Sequence, residues 1–329
     1  MPAEKRIDIS VVIPVYGVER YAEQCARSLM EQTLHDGVEF IFVDDATNDA
    51  SMEIIRRTVA DYPERREQLR ILPHSQNRGL PAARNTGMDA ASGEYIIHID
   101  SDDYCEPEML ESMLAKAREM DADMVWCDWY LSFGNRDRAM SMPDCPTADE
   151  ALRAMLGGAM KYNVWNKLTR RTIFTDNGLR FPDGRAMGED LTMVMAVACC
   201  RKVTHVNRPL YHYRRTNSEA MTQNYSDLNL EQLRANADTC IEFISTRRND
   251  ISDYLQFFKL QIKFPFLLMN PARRGFRLWE EWWPEANAAI HANTFMPRHS
   301  RIAQQMAARG LWPAVRLYRR LLSFYQHHC

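Results

Sequence analysis

Short apolar runs of strand length alternate with segments of helical periodicity through the first half of the chain. Five runs are predicted to be strands, at 9–15, 39–43, 69–72, 95–100 and 123–130. Four helices are predicted between and after them, at 19–32, 51–62, 81–91 and 107–120. Such alternation is typical of a largely parallel sheet covered by helices on both faces. The sequence therefore predicts an α/β fold, in which ligands bind beyond the carboxyl ends of the strands.

The alternation weakens after residue 131 and gives way to helices near residue 228. Between these points the pattern predicts helices at 148–156 and 191–200 and a strand at 203–213. Four more helices are predicted at 228–247, 251–268, 278–292 and 301–325, with breaks at Pro265, Pro271, Pro284 and residues 310–313. We therefore expect an α/β domain at 1–222 and a helical C-terminal region at 223–329.

Charge is distributed unevenly along a chain of otherwise ordinary globular composition. The 329 residues are 46% hydrophobic and 26% charged, with a formal net charge of -3. Residues 254–329 contain 11 Lys and Arg against three acids, whereas residues 1–253 contain 30 against 41. We expect the two parts to face different partners. Nucleic acid is not an expected partner, because the basic residues come without a recognised nucleic-acid-binding motif.

The sequence favours a cytoplasmic protein with reduced thiols. It has no uninterrupted run of 18 apolar residues, and its N-terminus leads into the first predicted strand without a secretory signal. The eight cysteines include no C-x-x-C pair and no spacing typical of a zinc site.

Three carboxylates follow the fourth predicted strand. In extended chain Asp100 and Asp102 project from one face, and Ser101 and Asp103 project from the other. Two hard oxygen ligands at a strand end suit Mg2+ or Mn2+. The alternative is a polar strand end in which Asp103 caps the next helix and Pro107 lies in its first turn.

The first three predicted strands also end in polar or conformationally special residues. Because the carboxyl ends of parallel strands meet at one edge, four such ends favour a common cleft. The first three ends carry, in order, Pro14, Val15 and Tyr16; Asp44 and Asp45; and Asn77, Arg78 and Gly79.

Five motifs follow one another along the chain: SVVIPVY at 10–16, FIFVDD at 40–45, NRGLPAARNTG at 77–87, GEYIIHIDSDD at 93–103 and GED at 188–190. In this order they resemble the family 2 glycosyltransferases of the GT-A fold. The resemblance covers about residues 8–220. It implies a Rossmann-like catalytic domain, with a nucleotide-sugar half at about 8–105 and an acceptor half at about 106–222.

The resemblance implies a metal on the diphosphate of a nucleotide-sugar donor. Asp102 would bind Mn2+ or Mg2+, and Asp100 would contact the ribose or reach the metal through water. Ser101 is the centre of the motif and belongs to the same donor site. His212 stands where some relatives place a histidine near the metal, and packing in the core is its alternative.

The resemblance also implies a base site at the first strand ends. Pro14, Val15 and Tyr16 would cradle the base, and Asp44 or Asp45 would accept a hydrogen bond from its imide N–H. An acceptor there favours uracil or guanine, so a UDP-sugar is the expected donor. For either aspartate the alternative is a helix cap.

The loop and helix after the third predicted strand supply further donor-site residues. Asn77 and Gly79 belong to that site, and Arg84 would reach the base or a phosphate. The alternative for Arg84 is a surface arginine paired with Asp89. Lys167 lies in a segment that resembles an acceptor side, where a diphosphate or acceptor contact and a structural salt bridge are both open.

For catalysis the resemblance points to Asp190, with Glu189 beside it. Asp190 would take the proton from an acceptor hydroxyl as that oxygen attacks the anomeric carbon opposite the diphosphate, which inverts the configuration. Because the proton moves late, an unperturbed carboxylate is expected to suffice. The alternative is a pair of acids that occupy the first turn of the next helix.

Apolar and aromatic residues recur along one face of the last predicted helix, with three arginines off that face. The face comprises Trp312, Val315, Tyr318, Leu322 and Tyr325, and the arginines are Arg316, Arg319 and Arg320. Two interpretations stay open: association with the inner-membrane interface, or packing of a helical subdomain on the catalytic domain, with homodimerisation.

The expected function is a metal-dependent inverting glycosyltransferase that uses a glycan or lipid-linked glycan acceptor in surface-polysaccharide synthesis. Its expected place is the cytoplasmic face of the inner membrane. A nucleotidyltransferase would need a Gly-rich loop with Lys or Arg after the first strand, whereas this chain has the sequence YGVER at 16–20. A non-catalytic sugar-nucleotide sensor or assembly subunit is the alternative from another class.

Overall fold

The computed structural model describes residues 6–134, 136–215 and 225–328, with side chains described as far as Leu322. The chain divides into two compact units, one formed by residues 1–149 and 162–240 and the other by residues 150–161 and 241–329. The domain boundary expected at residue 222 stays a prediction.

Nine strands form a single sheet in the first unit. The strand order is β3-β2-β1-β4-β8-β6-β9-β5, and β7 pairs with β6. The strands are β1 Ile9–Val15, β2 Val38–Asp44, β3 Leu69–Pro73, β4 Tyr95–His98, β5 Tyr104–Cys105, β6 Met124–Ser132, β7 Asp137–Met140, β8 Lys167–Arg170 and β9 Val203–Arg214.

The sheet is parallel over its first four strands and mixed beyond them. Strands β3, β2, β1 and β4 are mutually parallel, as expected from the βα alternation. Strand β8 then runs antiparallel to both β4 and β6, and β5 runs antiparallel to β9. Antiparallel neighbours need no helical crossover between them, which is why the sequence rhythm weakens where they occur.

Helices of the first unit flank this sheet. They are α1 Ala22–Met30, α2 Ser51–Ala60, α3 Leu80–Ala90, α4 Met109–Met120, α6 Arg171–Thr175 and α7 Thr192–Cys199. Helix α3 lies very close to β1, because a Cβ built on Gly87 would lie 2.2 Å from Cγ1 of Val12. Every residue of β1 is buried, as expected for a parallel strand covered on both faces.

The second unit is helical. Helices α5 Ala148–Gly157 and α8 Asp227–Ser245 each belong to both units. The remaining helices are α9 Ser252–Lys263, α10 Ala272–Glu281, α11 Arg298–Ala308 and α12 Trp312–His328. The break predicted at Pro284 is confirmed, because α10 ends at Glu281 and Pro284 opens a separate 3-10 turn. Beyond this break the segment predicted at 284–292 forms that 3-10 turn and no α-helix.

The apolar face predicted for the last helix packs inward. Val315 is fully buried, and Trp312 stacks on Phe276 with ring centroids 4.7 Å apart. For these residues the structure favours the packing interpretation over the membrane one. The Tyr325 side chain lies outside the described ones.

None of the seven cysteines in the described ranges is joined in a disulfide, and Cys329 lies outside those ranges. None of the helices that the structure describes combines the length and apolar composition needed to cross a bilayer.

Candidate active site

The carboxyl ends of β1 and β2 bring the predicted base-site residues together. In the strand register Val15 faces Asp44, and Pro14 and Val15 are buried within β1. Tyr16, the next residue, is 49% exposed. A ring that protrudes beyond a buried strand is available for stacking.

Asp45 organises the loop that leads into α3. Its Oδ1 accepts hydrogen bonds from Arg78 N at 2.8 Å and lies 2.6 Å from Nδ1 of His74, and its Oδ2 accepts from Gly79 N at 2.8 Å. The side chain is only 2% exposed. Both carboxylate oxygens thus hold the loop, in which Asn77 is exposed.

Asp44 has a different environment from its neighbour. Its side chain is half-buried, and Oδ1 accepts a hydrogen bond from Thr47 N at 3.0 Å. Neither aspartate caps α2, which begins after Ala50. Of the two acids, Asp44 has the more accessible carboxylate.

Arg84 lies on α3 and is 1% exposed, so the interpretation as a surface arginine is wrong. Its Nη2 donates to Oδ1 of Asp100 at 2.8 Å and lies 3.8 Å from Oε1 of Glu189. Asp89, the partner considered from the sequence, instead pairs with Arg180. One buried guanidinium therefore links the acidic strand end to the Glu-Asp pair.

The guanidinium of Arg84 also packs against the ring of Phe181, and two of its nitrogen atoms are left without an acceptor among the described residues. Its guanidinium carbon lies 5.5 Å from the ring centroid of Phe181. Within the described residues, its Nε and Nη1 find no hydrogen-bond partner. Buried donors of a charged group are costly to leave unpaired, so the site has unused capacity to bind an acceptor.

The acidic strand end differs from the expected helix cap. Asp103 is 1% exposed and accepts hydrogen bonds from the Tyr211 hydroxyl and from Arg214 N, each at 2.7 Å. Helix α4 begins only at Met109, after Glu108, because β5 pairs with β9 in between. Asp103 therefore anchors the turn to β9 and does not cap a helix.

Negative charge accumulates at this turn. Burial and the charges of Asp102 and Asp100 raise the pKa of Asp103 well above its ordinary value. Asp102 is half-buried and the Asp100 side chain is 25% exposed, whereas Ser101 is 5% exposed. Two partly accessible carboxylates with hard oxygen atoms fit a divalent cation.

No three His, Cys, Asp or Glu side chains in the described ranges form a metal-binding group by themselves. A cation of the magnesium type is usually held by one or two carboxylates together with substrate phosphates. The two partly accessible carboxylates, Asp100 and Asp102, fit that second arrangement.

His212 is held by protein partners on both ring nitrogens. Nε2 lies 2.8 Å from Oε1 of Glu106, and Nδ1 lies 3.1 Å from Oγ of Ser132. The ring stacks between Tyr104 and Tyr130, at 4.2 and 4.6 Å. This geometry favours packing over the metal role expected from the resemblance.

Glu189 and Asp190 lie in a 3-10 turn, Glu189–Leu191, and α7 begins after it at Thr192. Burial and the neighbouring Asp190 raise the pKa of Glu189 to about 8. Burial also raises the pKa of Asp190, while the charges of Lys167 and Arg84 oppose the increase. Asp190 is therefore not an unperturbed carboxylate, and whether one would suffice for catalysis stays a prediction.

Lys167 is buried near this pair. Its Nζ donates to Asn163 O at 2.6 Å and to Oδ1 of Asn166 at 3.0 Å. Burial lowers its pKa to about 7, although the charges of Cys127 and Asp190 act in the opposite direction. Among the described residues Lys167 donates to these neutral oxygens and forms no salt bridge, which disfavours the salt-bridge alternative.

Two site residues were missed in the sequence. His98 ends β4, is 2% exposed and meets Phe181 edge-on at 5.0 Å. Tyr211 is fully buried, and its hydroxyl accepts a hydrogen bond from Asp100 N at 3.3 Å while it donates to Asp103. His98 lies within the motif at 93–103 but is an apolar-strand position there, and Tyr211 has no local motif because the pairing of β9 with β5 brings it to the site.

Comparisons with known proteins agree with this geometry. The family model described as glycosyl transferase family 2 matches residues 10–192. EpsH of Bacillus subtilis (strain 168), named as a glycosyltransferase, is 31% identical over 254 residues, covering 75% of this chain and 71% of EpsH.

Solved structures share the fold at low sequence identity. TarS 1-349 of S. aureus, solved with UDP-GlcNAc, superposes with a TM-score of 0.69 at 19% identity, covering 98% of this chain and 92% of that one. The mannosyltransferase PcManGT from Pyrobaculum calidifontis, solved with GDP-Man and Mn2+, gives 0.53 at 16% identity, covering 97% and 85%.

The expected fold is therefore confirmed: a GT-A-like α/β domain with a helical C-terminal region. The family model spans more than half of the chain, from Ser10 at the start of β1 to just beyond the Glu189–Asp190 pair. The chain belongs to glycosyl transferase family 2.

Proposed function

We propose that the protein is an inverting, metal-dependent glycosyltransferase that moves a sugar from a UDP-sugar to a hydroxyl of a glycan or lipid-linked glycan. The observation that carries this proposal is the buried Arg84, which bonds Asp100 at 2.8 Å and lies 3.8 Å from Glu189. Donor-side and acceptor-side acids thus meet at one cation. Transfer requires this proximity, because the attacking hydroxyl and the anomeric carbon must be held together.

The donor base would stack on Tyr16, whose ring protrudes from the end of β1. Asp44 would accept the imide N–H of uracil, because Asp45 already uses both oxygens on the loop at 78–79. Asn77 would line the same pocket from that loop. The UDP-GlcNAc in the TarS structure supports a uridine donor.

The donor diphosphate would lie at the acidic strand end. Asp102, with Asp100, would hold Mn2+ or Mg2+ there, and Ser101 would line the donor site. The bound ion would stabilise the negative charge that develops on the leaving diphosphate. The Mn2+ in the PcManGT structure supports metal use in this fold.

Asp190 would act as the general base. At neutral pH the raised pKa of Glu189, about 8, keeps a proton on that residue, so Asp190 carries the charge of the pair. A raised pKa makes Asp190 a stronger base than an ordinary aspartate. It would accept the proton of the acceptor hydroxyl as that oxygen attacks the anomeric carbon, on the face opposite the diphosphate.

The acceptor would be a growing surface glycan at the cytoplasmic face of the inner membrane. EpsH is named as a glycosyltransferase, and the match covers 75% of this chain and 71% of EpsH. Contact with the membrane and homodimerisation belong to the same proposal, and the first is developed below.

Release of nucleoside diphosphate from a panel of nucleotide sugars, with Mn2+ or Mg2+, tests the proposal. We expect slow hydrolysis of one UDP-sugar by the wild-type protein and its loss in Asp190→Asn, which retains donor binding by calorimetry. Donor binding without turnover across the panel, with or without glycan acceptors, would instead identify a sensor or assembly subunit.

A further inference from the structure

Helix α12 has a second face that is exposed and rich in both leucine and arginine. Positions 313, 316, 317, 320 and 321 share one side of a helix by their spacing, and all five are exposed. This side lies opposite the packed face that contains Val315. We name the set Arg316, Leu317, Arg320 and Leu321 the Leu-Arg face.

Exposed apolar side chains are concentrated in this region. Eight large hydrophobic side chains of the described residues are exposed, and three of them, Leu311, Leu317 and Leu321, lie within eleven residues. Leu317 is 58% exposed and Leu321 is 61% exposed. Single exposed leucines are ordinary, but two on successive turns of one helix form an apolar strip.

The charges beside this strip are unbalanced. Residues 286–329 contain six arginines and no acid. Arg319 is used within the unit, where it donates to Leu268 O and to Oδ1 of Asn270. Arg316 and Arg320 are exposed and join no ion pair among the residues that the structure describes.

From this combination we infer that the Leu-Arg face of α12 binds an anionic lipid surface. Leucines that insert at the acyl boundary beside arginines that meet headgroup phosphates are the arrangement of an interfacial helix. A second copy of the chain fits less well. An isologous contact would bring the arginines of both copies together without acids to compensate them.

This surface deepens the proposed function by naming the membrane contact, and its test needs no sugar transfer. The test is co-sedimentation of the full chain with vesicles of phosphatidylcholine alone, and of phosphatidylcholine with about one third phosphatidylglycerol. The wild-type protein should sediment with the anionic vesicles and not with the neutral ones, and added salt should weaken the binding.

Two double variants test the face itself. Leu317→Ser with Leu321→Ser, and Arg316→Gln with Arg320→Gln, should each lower the partition coefficient about tenfold or more. Hydrolysis of the donor should stay at the wild-type level in both. Should the serine variant unfold, the glutamine variant decides, because it leaves both leucines in place and removes only the two charges.

Matched controls come from the other unit. Arg56→Gln with Arg57→Gln removes two exposed charges from α2, and Leu228→Ser removes a leucine that is 62% exposed on α8. Both should bind vesicles within about twofold of wild type.

Equal binding of wild type and both double variants would overturn the inference, as would absent binding by wild type. Light scattering that finds a dimer of the wild type, lost in the serine variant, would assign the face to a second copy of the chain and overturn it too.

Discussion

Arg84 donates through Nη2 to Oδ1 of Asp100 over 2.8 Å, from a position on α3 that is 1% exposed. The same nitrogen lies 3.8 Å from Oε1 of Glu189. The buried cation also influences protonation at the Glu-Asp pair, since its charge lowers the pKa of both Glu189 and Asp190.

Arg84→Met should therefore impair both stability and transfer. Removal of one partner of a buried pair leaves uncompensated charge, so we expect a loss of about 3–5 kcal/mol in the free energy of unfolding. The pKa of Asp190 should rise further, which moves the acid limb of the kcat profile to higher pH. Arg180→Met, which breaks an exposed pair with Asp89, is the control and should cost under about 1 kcal/mol. An unmoved pH profile in Arg84→Met would contradict the electrostatic role.

Asp190→Asn and Glu189→Gln should behave differently although the residues are adjacent. Loss of a general base lowers kcat by about 10²–10⁴-fold, and this is expected for Asp190→Asn with little change in donor affinity. Glu189→Gln replaces a residue that is mostly protonated at neutral pH, since burial and Asp190 raise its pKa to about 8. It should retain most of the activity. Similar losses of kcat in both variants would contradict this division of roles.

The pH dependence of transfer follows from the same pair. Asp190 must be ionised to act, and burial raises its pKa, so activity should fall on acidification at a higher pH than an ordinary aspartate near 3.9 would give. In Glu189→Gln the acid limb should stay close to its wild-type position, because Glu189 is already protonated, and therefore uncharged, in the acid range. Initial rates measured from about pH 4 to 8 test both expectations.

Asp45→Ala should act through the loop at 78–79. The change removes the acceptors of Arg78 N and Gly79 N, and unpaired buried donors cost about 1–3 kcal/mol. We expect the KM for the donor to rise more than kcat falls. Asp183→Ala, which loses only an exposed pair with Arg78, is the control. A normal donor KM for Asp45→Ala would show that the loop does not bind the donor.

Lys263 in the second unit should make stability depend on pH. Its Nζ donates to Trp282 O at 2.9 Å and to Oδ1 of Asn287 at 2.6 Å, and burial lowers its pKa to about 7 from the ordinary 10.5. Because the unfolded chain binds this proton more tightly than the folded chain, the free energy of unfolding should increase as pH rises from about 7 towards 10. Lys263→Met should lose that increase, measured by urea unfolding at pH 7 and 9, while Lys116→Met on α4 keeps it.

Gly87→Ala should move α3 away from β1. The new Cβ would lie 2.2 Å from Cγ1 of Val12, and overpacking of this kind costs about 1–3 kcal/mol. Activity should fall too, since Arg84 is on the same helix. Val12→Ala makes room, so the double variant should lose less stability than the sum of the single ones. Strict additivity in the double-mutant cycle would contradict this contact.

Local sequence determined the parallel half of the sheet and the residue types at its edge. Strands β1, β2 and β4 are buried apolar runs, and the polar residues after them follow from where such strands end. The motif at 100–103 was assigned to the donor side, and the pair at 189–190 to the acceptor side, because the residue types and their order along the chain resemble those of a known family.

Tertiary structure decided which of these groups are used and which are already satisfied. Asp45 holds a loop, His212 is held by Glu106 and Ser132, and Asp103 binds β9, yet none of these partners is adjacent in the sequence. Burial, which no local pattern measures, raised the pKa of Asp190. Tertiary packing also distinguishes the two faces of α12, because it buries Val315 and leaves Leu317 exposed to solvent. Desolvation and hydrogen-bond satisfaction depend on contacts between distant segments, so they appear only once the chain is folded.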